Sequence, residues 1–222
     1  MTKLTIVGVG PGSPDYVIPA ARKAVQDAQI VIGSERSLLL FQEEIQGEAV
    51  ELTSKNLEDV LKYAQAAEKK GKKVVLLSTG DPGFSGLLGS VLSRIYGKNE
   101  VTVIPGVSSI QVCAARLGMC WEDAVLFTFH NGVEEKKKEA LFEAVKAAKA
   151  VFLLPEPKMF KPADIAAFLI KKGVDQMVKV VVCENLTLTN ERVVESTLAE
   201  AAQQSFSPLC VMVIQGKNLP NG

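Results

Sequence analysis

The chain has 222 residues, 47% of them hydrophobic, with 25 Lys and Arg against 25 Asp and Glu and one histidine. A globular chain of this length buries roughly 70% of its unfolded surface, and its balanced charge supplies neither a basic field for nucleic acid nor an acidic disordered tail. Its four cysteines, Cys113, Cys120, Cys183 and Cys210, have no C-x-x-C spacing, so neither a metal site nor a disulfide framework is expected. Met1 leads within three residues into an apolar run, no run approaches the roughly 18 residues of a membrane span, and no leader pattern is visible. The chain reads as cytoplasmic, with reduced thiols and no membrane partner.

In chain order, apolar and β-branched runs predict strands over residues 4–7, 30–32, 74–77, 101–104, 125–129, 151–154, 178–182 and 209–214. Between them lie segments of helical period. Pro19 suits the first turn of a helix over 19–28, and Pro162 opens another by the same logic, because proline there forfeits only an N–H that has no helical partner. Leu57, Val60, Leu61, Ala64 and Ala67 mark one face of a helix that pairs Glu58 with Lys62 on the other. Further helices are expected over 86–96, 108–117, 134–148 and 197–204. The alternation is that of an α/β protein. A boundary near residues 112–122 divides it into an N-terminal α/β domain, residues 1–115, and a C-terminal α/β domain, residues 116–222.

Three predicted strand ends carry unusual loops. The first reads Gly8-Val9-Gly10-Pro11-Gly12, followed by Pro14. A dinucleotide turn places its third glycine three positions beyond the second and offers free N–H groups to a pyrophosphate. Here the spacing is G-x-G-x-G and two prolines remove N–H groups, which predicts a stiff, wide turn for a ligand without phosphate. The second loop, Ser78 to Gly86, sets the carboxylate of Asp81 among Gly80, Gly83 and Gly86, suited to a cationic group or a hydroxyl donor or, alternatively, to a purely local Asx turn. In the third, Pro105-Gly106-Val107-Ser108-Ser109, the hydroxyls suit either a helix cap or a ligand.

Taken together, Gly8-x-Gly10-Pro11-Gly12-x-Pro14, then Gly80-Asp81-Pro82 with Phe84, then Pro105-Gly106-Val107-Ser108-Ser109 resemble the tetrapyrrole methylase family of S-adenosylmethionine-dependent enzymes in order and interval. The resemblance covers essentially the whole chain. It implies two α/β domains with the cofactor cleft between them, a homodimer, and a small-molecule tetrapyrrole substrate. It puts Pro11, Gly80, Asp81, Phe84, Ser108 and Ser109 at cofactor-contacting positions, with looser matches at Leu154, at 184–186 and at Cys210. The segment 125–131 and the loop 78–86 look most like the branch that methylates carbon 5 of a cobalamin precursor, although His130-Asn131-Gly132 stands where members of the branch often read His-Gly-Arg. Relatives that fuse a second activity are longer than a chain ending at Gly222, which favours the single-activity form.

Methyl transfer from a sulfonium to carbon is an in-line displacement that needs alignment and dryness rather than a protein nucleophile. For a proton acceptor the candidates are His130, whose unperturbed pKa lies near neutrality, and Glu184 at another strand end, each with an ordinary structural role as the alternative. A substrate rich in carboxylates calls for cations, and of five arginines Arg36 and Arg116 are the best placed. Lys158 and Lys161 suit a mobile rim, and Lys136 to Lys138 a solvated helix face. An exposed Asp81 is expected to tolerate replacement by alanine without loss of fold. Three other readings stay open: a methylase of this architecture acting on another precorrin position, an RNA base or a modified protein histidine; a non-catalytic adenosine-ligand sensor; and a nicotinamide oxidoreductase, disfavoured by Pro11.

Overall fold

In the computed structural model, which describes residues 3–147 and 150–215, all eight predicted strands are present with small shifts at their ends. The chain divides into two units, Met1–Ser108 and Ser109–Gly222. The division falls just ahead of the expected 112–122. The helix that begins at Ser109 packs on the last strand of the second unit, so its packing partners rather than its sequence neighbours decide where it belongs.

The first unit runs β1 (Leu4–Gly8), α1 (Pro19–Gln26), β2 (Ile30–Gly33), α2 (Glu35–Leu40), β3 (Glu48–Glu51), α3 (Leu57–Lys69), β4 (Val74–Ser78), α4 (Leu88–Leu92) and β5 (Val101–Ile104). Its sheet has the order β3-β2-β4-β1-β5, and every pair is parallel. The strand period of two sorts the core. Leu4, Ile6, Ile30, Ile32, Val74 and Leu76 meet Val60, Leu61 and Ala64 of α3 on one face, while Val7, Val31, Val75 and Leu77 meet Ala21 and Val25 of α1 and Phe41 on the other. Because both faces are covered, β2 and β4 are buried from end to end. All five carboxyl ends lie along one edge of the sheet, the edge at which open α/β sheets take ligands.

The second unit runs α5 (Ser109–Arg116), β6 (Val125–Thr128), α6 (Glu135–Lys146), β7 (Val151–Leu154), α7 (Pro162–Lys171), β8 (Lys179–Glu184), β9 (Arg192–Thr197), α8 (Leu198–Ala201) and β10 (Cys210–Ile214). Its sheet has the order β6-β7-β10-β8-β9, with β6 parallel to β7 and every other pair antiparallel. Antiparallel pairing brings the first residue of β10, Cys210, opposite the last residue of β8, Glu184. Val151, Leu153, Val180, Val182, Met212 and Ile214 form one core with Leu141 of α6, Ile165 and Leu169 of α7, and Leu198 of α8.

The differences from the sequence have physical causes. β3 and β9 are edge strands reading EAVE and RVVEST, mostly facing water, and so lack the continuous apolar signal of a buried strand. The helix expected over 86–96 shrinks to Leu88–Leu92, in a stretch rich in glycine and serine, which are poor helix formers. In α8 a capping box, with Thr197 Oγ1 accepting the Glu200 N–H and Glu200 accepting the Thr197 N–H, starts a helix of one turn. The expected end of α6 at residue 148 lies outside the described residues.

Candidate functional site

The three loops read from the sequence meet at the carboxyl ends of β1, β4 and β5, and backbone holds them. Val9 N–H donates to the Ser78 carbonyl at 3.0 Å, and Gly10 and Gly80 form an isolated antiparallel bridge, Gly80 N–H to Gly10 carbonyl at 2.8 Å. Where the loops after β1 and β5 cross, no side chain fits. A Cβ on Gly106 would lie 2.3 Å from the Gly80 carbonyl oxygen and 2.6 Å from the Gly8 carbonyl carbon, and one on Gly8 would lie 2.4 Å from the Gly106 nitrogen. Gly80 also has φ of 66°, left-handed backbone that glycine adopts without cost.

Asp81 ties this junction together. Its Oδ1 accepts the Gly83 N–H at 2.8 Å and its Oδ2 accepts the Gly106 N–H at 3.1 Å, so one carboxylate closes its own Asx turn and staples the β4 loop to the β5 loop. Each oxygen retains a further lone pair for a hydroxyl or ammonium donor. Asp81 thus satisfies two backbone donors of the junction, a structural part beyond the ligand contact. Phe84 lies three residues on, half-buried, with its N–H on the Asp81 carbonyl. Ser108 is buried immediately before α5, and Ser109 is the first helical residue.

Arg36, at the start of α2, reaches across to donate from Nη2 to the Pro11 carbonyl at 3.1 Å, so it braces the first loop while its other N–H groups face solvent. Pro11, Gly80, Asp81, Ser108 and Arg36 thus belong to one edge of the first unit. Glycine-lined walls, a carboxylate with spare acceptor capacity and a proline-stiffened turn short of N–H groups fit a neutral or cationic ligand and do not fit a pyrophosphate.

In the second unit Leu154, His130, Glu184 and Cys210 lie along one edge of the sheet, at the ends of β7, β6 and β8 and the start of β10. Glu184 is 2% exposed and bonded at both oxygens: Oε2 accepts Arg192 Nε, and Oε1 accepts the Ser207 N–H. Burial works to raise its pKa, but the Arg192 and Ser207 hydrogen bonds and the Arg192 charge outweigh it and hold the carboxyl below the ordinary range. A buried carboxylate so committed keeps its charge and is a poor proton acceptor, which argues against a catalytic part for Glu184. Beside it, burial and then the Glu184 charge push the Cys210 thiol up to about 12, leaving it a neutral, apolar wall.

Desolvation lowers the His130 pKa, against a hydrogen bond to the Pro155 carbonyl and the Glu156 charge, which raise it, although the residue keeps a solvent face. The net direction favours the neutral imidazole, in which the nitrogen not bonded to Pro155 carries a lone pair. Arg116 is spent elsewhere: its Nε and Nη2 grip Glu191 at 2.6 and 3.5 Å. Nor is all of 136–138 a solvated face. Lys137 Nζ donates to the Thr128 carbonyl at 2.9 Å, capping the end of β6 one residue before the buried Phe129, and Lys138 stands over the Phe160 ring at 5.1 Å. Sequence offered no signal for Lys137, whose partner lies nine positions earlier. Lys158 and Lys161 flank an exposed Met159 in a loop pinned by Glu156, which accepts the Lys158 and Met159 N–H groups, and by Asp164, which accepts the Lys161 N–H.

Comparison with known proteins identifies the family. The family model described as Tetrapyrrole (Corrin/Porphyrin) Methylases matches residues 3–202. The chain is 38% identical over 211 residues to the probable cobalt-precorrin-7 C(5)-methyltransferase of Methanocaldococcus jannaschii, covering 95% of this chain and 97% of that one. Among solved structures, the cobalamin biosynthesis precorrin-6Y methylase of Archaeoglobus fulgidus superposes with a TM-score of 0.71 at 25% identity, covering 97% of this chain and 98% of that one. The uroporphyrin-III C-methyl transferase of Thermus thermophilus, solved in complex with S-adenosyl homocysteine, gives 0.75 at 20% identity over 96% and 92%.

Proposed function

Because the chain belongs to the tetrapyrrole (corrin/porphyrin) methylases and is a methyltransferase, we propose that it methylates carbon 5 of cobalt-precorrin-6B, giving cobalt-precorrin-7, with S-adenosylmethionine as donor. The observation that carries the acceptor is the end-to-end likeness to a relative named for that carbon. What supports the donor is the phosphate-free glycine junction, together with the ligand named in the uroporphyrin-III methylase structure.

The donor supplies, when bound, an electrophilic methyl group on a sulfonium. The chain's residues supply the rest. Pro11, Gly80, Asp81, Phe84 and Ser108 of the first unit hold the donor together with Ser109, the first residue of the second, with Asp81 accepting from its hydroxyl or amine donors. Leu154, Cys210 and the main chain of residues 184–186 add apolar and backbone contacts in the second. The glycine junction lets the three loops meet and fixes Asp81 among them, and the neutral Cys210 thiol adds an apolar contact, so alignment and exclusion of water provide most of the acceleration. Arg36 offers its remaining N–H groups to a substrate carboxylate, and His130 offers its free ring nitrogen to orient the acceptor. Glu184 and Arg116 hold the scaffold.

No helix among the described residues is long and apolar enough to cross a membrane, and Cys113, Cys120, Cys183 and Cys210 are free thiols. The family resemblance supports a cytoplasmic homodimer acting on a small molecule rather than on nucleic acid. The test is incubation of the purified chain with methyl-labelled donor and cobalt-precorrin-6B, followed by mass spectrometry and location of the label by NMR. Label at carbon 5 is expected. Label at another carbon reassigns the acceptor within the family, and absence of transfer to any precorrin overturns the reading.

A further inference from the structure

The connection between β8 and β9 is built against the preferences of its own residues. Asn185 has φ of 51° and Thr187 φ of 69°, left-handed values at two non-glycine positions that bracket the buried Leu186. Asparagine tolerates that region, but a β-branched threonine there is an outlier, and a plain hairpin turn would place glycine at such a position. Strain of this kind persists only where the surroundings over-determine it, and it concentrates at ligand sites.

Here the over-determination is visible. Asn185 N–H donates to the Leu209 carbonyl at 2.8 Å, and Asn185 Oδ1 accepts from Ser207 Oγ at 2.9 Å. Leu188 N–H closes one turn on the Asn185 carbonyl at 2.9 Å, and Glu191 N–H closes a second on the Leu188 carbonyl at 3.0 Å. The threonine itself is held by Glu191, whose Oε2 accepts the Thr187 N–H at 2.5 Å while Arg116, 75 residues earlier on α5, grips the same carboxylate. Arg116 ends the helix whose first residue is Ser109, so the anchor of this turn stands on α5, which packs on β10 of the same unit.

We propose that Glu191 is a positioning residue for the methyl donor: locked by Arg116, it holds Thr187 in left-handed backbone and so presents the main chain around Leu186 to the ligand. The inference rests on the reading of the chain as an S-adenosylmethionine-dependent methylase, and assigns to that site a residue that touches neither donor nor acceptor. It also gives Arg116 a part, as the lock on that carboxylate rather than as a partner of substrate carboxylates.

The experiment is calorimetric titration of S-adenosylhomocysteine into four proteins, with the KM for each substrate measured alongside. Glu191→Ala is expected to weaken the ligand about tenfold, the loss of one well-placed hydrogen bond, with the KM for tetrapyrrole changed by no more than about twofold. Glu191→Gln, which still accepts the Thr187 N–H, stays within about threefold of wild type. Adding Thr187→Gly to Glu191→Ala restores most of the affinity, because glycine takes the same φ without an anchor. Should Glu191→Ala fail to fold, Arg116→Ala, which leaves the carboxylate but unlocks it, carries the same comparison. Unchanged affinity in Glu191→Ala, an equal loss for donor and acceptor, or no rescue by Thr187→Gly overturns the inference. Failure of the wild-type chain to bind S-adenosylhomocysteine overturns the functional reading and the inference with it.

Discussion

The two units hold their strand-end loops with different materials. In the first, the junction itself is backbone on backbone: glycines allow the β1, β4 and β5 loops to touch, Asp81 bonds to main-chain N–H groups, and a charged brace, Arg36, reaches a main-chain carbonyl. In the second, charged side chains span the gaps, with Glu184 joined to Arg192 and Ser207, and Glu191 to Arg116 and Thr187. A backbone junction fails by steric exclusion and is indifferent to pH. An ionic one fails when a partner is removed or protonated.

The largest effect is expected where no side chain fits. Gly106→Ala puts a Cβ against the Gly80 carbonyl oxygen and the Gly8 backbone, neither of which can turn aside as a flexible side chain would. We expect a loss of about 4 kcal/mol, in the range reserved for severe core defects, together with loss of donor binding. Urea unfolding measures the first and calorimetry the second, and a stable Gly106→Ala protein would mean that the loops do not approach as described.

Glu184→Ala tests the other material. It strips a buried acceptor from Arg192 and from the Ser207 N–H, at a cost of about 3 kcal/mol, less than for a fully buried pair because Arg192 itself is largely exposed. A carboxyl held below its unfolded value adds stability that is complete above that value, about 4.3, and is lost as the pH falls through the lower folded value. The gap in unfolding free energy between wild type and Glu184→Gln should therefore be constant from pH 8 to pH 6 and close in acid. The Gly106→Ala deficit should not follow pH in this way, and parallel pH curves for the two variants would erase the distinction drawn between the units.

Asp81→Ala lies between the two materials. It removes both staples of the junction, and we expect about 2 kcal/mol of stability lost, because two backbone donors lose their acceptor, and weaker donor binding as well. Asp81→Asn keeps one acceptor oxygen and should lose about half as much. Equal melting temperatures for wild type and Asp81→Ala would leave Asp81 a ligand-binding role alone.

How much was legible follows from the same contrast. Gly8, Gly80, Asp81 and Gly106 sit in contiguous glycine- and proline-rich words after apolar runs, and each word names its own conformation, so both the α/β alternation and the first-unit site were open to reading. The second-unit network joins Arg116 to Glu191 and Glu184 to Ser207, residues of ordinary type in ordinary surroundings, brought together by the antiparallel pairing of β8 with β9 and β10 and by the packing of α5 on β10. Nothing local distinguishes them. Sequence therefore offers Arg116 only as a candidate for substrate carboxylates, and leaves Glu184 between proton acceptor and structural group. The strands β3 and β9 escaped for a related reason, since an edge strand shows its pattern only against a neighbour that the sequence does not name.

The smallest effect concerns His130, which neither staples the glycine junction nor belongs to the carboxylate network. With its imidazole neutral and one nitrogen engaged by Pro155, the other can hold the acceptor by a single hydrogen bond, and His130→Gln should lower kcat/KM by about tenfold or less. Protonation abolishes that lone pair, and since desolvation lowers the pKa, the acid limb of the kcat/KM profile should fall below pH ~6.5 in the wild type and vanish in His130→Gln. A loss of about 10²-fold or more would instead identify His130 as the group that takes the proton from the methylated carbon. That result would give the second unit a chemical part alongside its scaffold of charges.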